Sequence, residues 1–323
     1  MLKYLIKNNE GFHVHTGMLE TLVKDEVVWI EVNKPSETER NYLREHLNLD
    51  KKAQISNVSE DNGYLWMKSQ LVKVNEKNLL DFANVNFVLG EQIVVTFCDL
   101  EEFHPFDNAI SRCQRKHEHA ESSKAFFRLL LQLANDGAAD AVDNIADALD
   151  KSTSEITQIS EGYNEHGQEL GMSDLSGIMR NLNDKEELIL NCIEAQLTLA
   201  RTVRYLSSEV DNRTEADLQA LVSELSGDVA GVKEHAAFEH EKVRYLQSAV
   251  TNILNIKQNQ IVKVFTIITA VFLPPTLVGT FYGMNFAVMP ELSWEHGFIY
   301  SMCLTLGAAL LPLLYIKKRG WLR

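Results

Sequence analysis

The chain has 323 residues, with 45 acidic and 31 basic side chains and a formal net charge of −14. That length suggests about two domains, and a content of 45% hydrophobic and 24% charged residues argues against a wholly disordered polymer. The acidic balance also argues against a nucleic-acid binder, which needs basic faces, and it suits a protein that handles cations.

The opening residues, MLKYLIKNNEGFHVH, lack the long apolar run of a signal peptide. Residues 1–105 read as a mixed α/β domain. The runs Val27 to Val32, Tyr64 to Met67 and Ile93 to Phe97 are β-branched or aromatic and predict strands. Pro35 followed by Ser36, with Glu39 three residues on, predicts a helix capped by Ser36 and running to Leu47. No proline occurs between Pro105 and Pro274, and residues 106–229 are rich in good helix formers, so long helices are expected there. In this region Asp136, Asp140, Asp143, Asp147 and Asp150 fall on one helix face, and Ala138, Val142, Ile145 and Leu149 on the opposite one. The acidic stripe reads as a solvated face, or alternatively as a surface that attracts cations. Gly162, Gly167, Gly171 and Gly177 mark a turn region, and Gly227 and Gly231 a weaker break.

Residues 230–282 read as one stalk helix, roughly 75–80 Å long. Val243, Leu246, Val250 and Ile253 follow a helical apolar spacing. The stalk ends in a stretch, Val264 to Tyr282, without a charged side chain; Phe298 to Ile316 is a second such stretch. Each is close to the ~20 residues a helix needs to cross a bilayer. The tail, residues 317–323, is basic, whereas the connecting loop, residues 283–297, has no Lys or Arg and carries Glu291 and Glu295. The positive-inside rule then places the tail and the large N-terminal part in the cytoplasm, and the loop outside. Trp294 and Trp321 flank the second span, as an aromatic belt would.

Cys98, Cys113, Cys192 and Cys303 are widely spaced and predict neither a disulfide framework nor a structural zinc site. The pairs His13/His15 and His117/His119 have no further ligand at a recognisable spacing and read as surface histidines. The chain has no P-loop, dinucleotide fingerprint, nucleophile elbow or HExxH motif, so no enzymatic activity is expected.

Two spans cannot enclose a pore, so conduction would require a ring of copies. In that case the first span should carry its polar residues on one face. Asn259, Val262, Thr266, Thr269, Leu273, Thr276 and Thr280 are spaced 3-4-3-4-3-4 and form such a seam. The spacing suits a packing face between membrane helices equally well. Pro274 and Pro275 free backbone carbonyls, which is tolerated beside neighbours or a wet cavity.

Tyr282-Gly283-Met284-Asn285-Phe286, followed by Met289-Pro290-Glu291-Leu292 and the terminal Lys317-Lys318-Arg319-Gly320-Trp321-Leu322, resembles the CorA family of magnesium and cobalt channels. The close resemblance covers roughly residues 250–323. It implies an α/β cytoplasmic domain, long helices and two C-terminal membrane helices, assembled as a funnel-shaped homopentamer in the cell inner membrane. By the same resemblance, Gly283, Met284 and Asn285 form the selectivity filter, Asn259, Val262, Leu273 and Thr276 face the pore, and Phe265 is a constriction. Mg²⁺ is then the transported ion, Co²⁺ an alternative, and Mg²⁺ bound between cytoplasmic domains favours the closed ring. Glu224 and Asp228 are the expected regulatory ligands. Lipid and further copies of the chain are the expected partners, and nucleic acid is not. A zinc transporter of the same fold and a non-conducting membrane-anchored sensor are the alternatives.

Overall fold

The computed structural model of the chain describes residues 2–8, 11–17, 26–49, 57–116, 120–160, 172–211, 213–285 and 289–320. The chain divides into two compact units. The first comprises Met1–Gln168 and Ser176–Gln247, and the second Glu169–Leu175 and Ser248–Arg323.

The first unit is built on a sheet of seven strands among the described residues: β1 (Leu2–Asn8), β2 (Gly11–Thr16), β3 (Val27–Asn33), β4 (Val58–Asp61), β5 (Tyr64–Val74), β6 (Leu80–Leu89) and β7 (Val94–Cys98). Their order is β2-β1-β3-β7-β6-β5-β4. β3 and β7 run parallel, and the other neighbours are antiparallel. All seven residues of β3 are buried, as expected of a central strand covered on both faces. One face carries Tyr4, Ile30, Val32, Trp66, Val88, Val95 and Phe97 against Leu43 and Leu47 of α1 (Glu37–Leu47). The other face carries Trp29, Met67, Leu71 and Phe87 against the helices that follow: α2 (Ala109–Arg115), α3 (Ser123–Ser160), α4 (Met172–Glu209) and α5 (Ala216–Tyr282). Phe126, Phe127 and Leu130 of α3 are fully buried in this second core, joined by Leu199, Val203 and Leu206 of α4 and Val222, Leu225 and Val229 of α5. Gly137 lets α3 approach the sheet, since a Cβ there would meet the Val72 carbonyl at 3.1 Å.

The three predicted strands and the capped helix are present. Ser36 and Glu39 form a reciprocal capping box, with the Glu39 backbone N–H donating to Ser36 Oγ and the Ser36 N–H donating to Glu39 Oε2. These bonds hold the Glu39 carboxyl below its usual range against the opposing effect of burial. Two expectations need correction. The long helix begins at Ala216, not near residue 230, and passes through Gly227 and Gly231 without a break. Its 67 residues amount to about 100 Å at 1.5 Å per residue. Each glycine costs a helix only about 1 kcal/mol, and the buried Val222, Leu225 and Val229 around them offset that cost. Gly177 lies inside α4 rather than in a turn, whereas Gly162, Gly167 and Gly171, like His117, His119 and residues 321–323, lie outside the described residues.

The acidic stripe of α3 is not simply solvated. Asp136 pairs with Arg112 at 2.8 Å, Asp143 lies 3.6 Å from His235, and Asp150 pairs with Lys242 at 2.7 Å. Burial opposes the Lys242 charge, but Asp150 and Glu239 outweigh it and hold the ammonium above its ordinary value. Alternate stripe residues therefore tie α3 to α2 and to α5, while Ala138, Val142, Ile145 and Leu149 are buried behind them.

In the second unit, α5 continues to Tyr282, a short 3₁₀ turn spans Pro290–Ser293, and α6 runs from Gly297 to Lys318. The most apolar 18-residue window of α5 is 0% buried within the chain and that of α6 is 6% buried, and both helices are long and apolar enough to cross a membrane. A core helix of a soluble protein would bury such a surface. Gly297 is required where α6 begins, because a Cβ there would clash with the Glu291 carbonyl.

Leu130→Ala in the second core is expected to cost about 2–5 kcal/mol, and Ser36→Ala about 1 kcal/mol. Thermal unfolding of the full chain in detergent should therefore rank the two melting temperatures in that order, and equal losses would contradict the placement of Leu130.

Candidate pore and filter

From Val264 to Phe281 the polar side chains are Thr266, Thr269, Thr276 and Thr280 alone. All four hydroxyls donate into their own helix: Thr266 to the Val262 carbonyl at 2.8 Å, Thr269 to Phe265 at 2.8 Å, Thr276 to Phe272 at 2.7 Å and Thr280 to Thr276 at 2.8 Å. With its proton engaged, each hydroxyl presents outward only oxygen lone pairs. Pro274 and Pro275 lie within the same helix and supply no N–H to the carbonyls of Ala270 and Val271. The four hydroxyls therefore offer acceptors on one side, a chemistry suited to the outward-pointing protons of a hydrated cation and not to an anion.

An open groove of about 510 Å³ follows this face, lined by Val262, Phe265, Thr266, Thr269, Ala270, Leu273 and Pro274. Phe265, one residue off the seam in sequence, thus shares a groove with it. Asn259, Thr276 and Thr280 are exposed above and below along α5. The faces carrying Ile261, Val264, Ile268 and Phe272 are exposed too, but they are wholly apolar.

At the end of α5 the Gly283 N–H bonds to the carbonyls of Gly279 at 3.0 Å and Thr280 at 3.2 Å, and the Met284 N–H to Phe281 at 3.3 Å. Gly283 does not adopt a left-handed conformation. Glycine is favoured there by closeness, since a Cβ would stand 3.3 Å from the Gly279 carbonyl. Met284 and Asn285 follow, both exposed, while Phe286 lies outside the described residues. Met289 precedes the 3₁₀ turn that holds Glu291, with Glu295 exposed just beyond it. Trp294 packs edge-on against Tyr300 at 5.9 Å.

Glu224 and Asp228 lie one turn apart on the first unit's part of α5, in a concavity they share with Arg112, Arg115, Lys116 and Arg128. Sequence inspection missed this basic surrounding, because its members come from separate helices. His13 and His15 are exposed on β2. Among the described residues no cluster of three or more His, Cys, Asp or Glu side chains is placed to hold a metal. None of the four cysteines forms a disulfide, and burial pushes the Cys113 and Cys192 thiols up to about 12, which leaves them unreactive.

A profile of the family described as CorA-like Mg2+ transporter protein matches residues 24–318. The chain is 29% identical over 309 residues to a magnesium transport protein CorA of Haemophilus ducreyi, covering 92% of this chain and 93% of that one. It is 26% identical over 311 residues to a magnesium transport protein CorA of Wolinella succinogenes, covering 92% and 91%. The solved structure of the CorA magnesium transporter from Methanocaldococcus jannaschii matches with a TM-score of 0.75 at 15% identity, covering 99% of this chain and 98% of that one, a likeness of fold. An α/β domain, long helices, two apolar C-terminal helices and a profile match over most of its length make this chain a member of the CorA-like Mg2+ transporter family, a family of membrane transporters and not of enzymes.

Proposed function

We propose that the chain assembles as a homopentameric ring in the inner membrane and conducts hydrated magnesium, with cobalt as a second cargo, into the cell. One observation carries this reading above the others: the only polar side chains of the α5 membrane segment share a face and present acceptors alone. The related magnesium transport proteins support the choice of ion. Among the described residues a single copy has two helices long and apolar enough to cross a membrane, too few to surround a water-filled path, so a ring of α5 helices must line it.

In this reading Asn285, with Gly283 and Met284, forms the filter at the outer mouth. Magnesium is small and gives up its water reluctantly, and stripping it needs near-ideal octahedral oxygens. A ring of neutral amides accepts hydrogen bonds from the coordinated water instead, and binds weakly enough to release the ion. Glu291 and Glu295 concentrate cations at the mouth. Below it, Thr280, Thr276, Thr269, Thr266 and Asn259 pass the hydrated ion along, while Val262, Phe265 and Leu273 supply apolar constrictions that close by dewetting. Lys317, Lys318 and Arg319 hold the tail on the cytoplasmic side, and the loop without Lys or Arg faces outward. Cytoplasmic magnesium closes the ring, with Glu224 and Asp228 as its ligands, by binding the closed ring better than the open one.

Asn285→Ala is expected to abolish magnesium uptake while leaving the assembly intact, as read by flux and by size in the same detergent; near-normal uptake would remove Asn285 from the filter. Native mass measurement in mild detergent and in lipid should give a ring of copies, and a monomer or dimer in both would contradict the pore.

A further inference from the structure

The first unit contains a cavity of about 440 Å³ whose chemistry the transport path does not use. Its basic side chains come from two elements: Arg112 and Arg115 from α2 with Lys116 at its end, and Arg128 from α3. Its carboxylates, Glu224 and Asp228, come from α5. Four cations against two carboxylates form a positive pocket on a chain of net charge −14. Arg128 is only 7% exposed. Burial pulls its guanidinium below the ordinary value, Glu224 counteracts this, and Arg112 is close enough to depress it further. It remains charged regardless. Part of the Arg112 charge is met by Asp136 at 2.8 Å.

Two like charges held together beside a cavity are stabilised by an anion between them. Guanidinium forks match phosphate oxygens in a bidentate manner. The volume lies within the roughly 300–1,000 Å³ of small-molecule sites. A bare divalent cation would reach Glu224 and Asp228 against four positive charges, and a bare anion would face two carboxylates. Magnesium is typically held by one or two carboxylates together with ligand phosphates, and a magnesium–polyphosphate complex meets both halves of this lining. From the cavity between α2, α3 and α5 we infer a binding site for a di- or triphosphate chain held as its magnesium complex, with phosphate on Arg112, Arg115, Lys116 and Arg128 and the metal on Glu224 and Asp228. The site rests on the magnesium-ligand role given above to those two carboxylates and names the form in which the ion reaches them, but its test reads binding and not transport.

The test is equilibrium dialysis of the full-length protein in detergent against pyrophosphate, ATP and orthophosphate, each with and without excess magnesium, and against magnesium alone. Magnesium pyrophosphate or magnesium ATP should saturate with a Kd below about 1 mM. Binding of both supports recognition of the phosphate chain, ATP alone a nucleoside triphosphate, and pyrophosphate alone an inorganic chain. Arg115→Gln with Lys116→Gln, both exposed and so tolerable to the fold, should weaken the complex about a hundredfold, roughly tenfold for each charged hydrogen bond lost. Glu224→Gln with Asp228→Asn should weaken the magnesium complex and tighten the metal-free anion. Absence of saturable binding, equal affinity for orthophosphate, no effect of the Arg115/Lys116 pair, or tightening of both anion forms by the carboxylate variants would each overturn the site. Loss of magnesium-alone binding in the carboxylate variants, with no polyphosphate binding in the wild type, would overturn it while leaving the magnesium-ligand role standing.

Discussion

The rest of the structure depends on how one helix meets lipid. α5 carries an apolar segment that the chain itself leaves entirely uncovered. In hydrocarbon every backbone polar group needs a partner, yet Pro274 and Pro275 withhold N–H groups from two carbonyls in the middle of that segment. The proposed ring, with copies of the chain around a wet axis, resolves both problems together. In that proposed ring the threonine oxygens face water, and the apolar faces, with the carbonyl freed at Val271 among them, face neighbours. Each threonine proton is taken up by a carbonyl of its own helix, so the hydroxyl oxygens stay free to accept.

α5 is also the element that the first unit is built to hold. Its buried residues Val222, Leu225 and Val229 complete the core beneath the sheet. Lys124 reaches Glu215 at its start with a 2.9 Å ion pair, and further along Lys242 meets Asp150 and His235 lies near Asp143. Glu186 of α4 accepts from Gln247 at 2.7 Å. Exposed pairs of this kind are individually weak, ~0–1 kcal/mol each. Repeated along one helix, they fix which face of α5 turns toward α3 and α4 without demanding a large apolar area. A ligand that bridges α5 to α2 and α3 therefore acts on a helix that continues into the membrane segment.

What could be read from the sequence was what is encoded locally. The capping box needs only Ser36 and Glu39, and the strand at Val27 needs only its β-branched run. The two apolar spans and the threonine seam are likewise periodic features of continuous segments. β6 was not legible, because Asp81, Asn84 and Asn86 interrupt its apolar pattern; it forms by pairing with ten residues of β5. β1 and β2 are similarly masked by lysines and histidines on their exposed positions. The continuity of α5 through Gly227 and Gly231 depends on tertiary burial that local propensity does not contain. The basic cavity was hidden for the same reason: its cations and carboxylates are about a hundred positions apart along the chain and meet only when α2, α3 and α5 pack.

The most direct measurement of the central claim is magnesium entry into liposomes containing only the purified protein, followed by an indicator trapped inside. The account predicts saturable entry, accelerated by an inside-negative potential and well above that of protein-free vesicles. Entry no faster than in empty vesicles, with the protein correctly inserted and assembled, would contradict it.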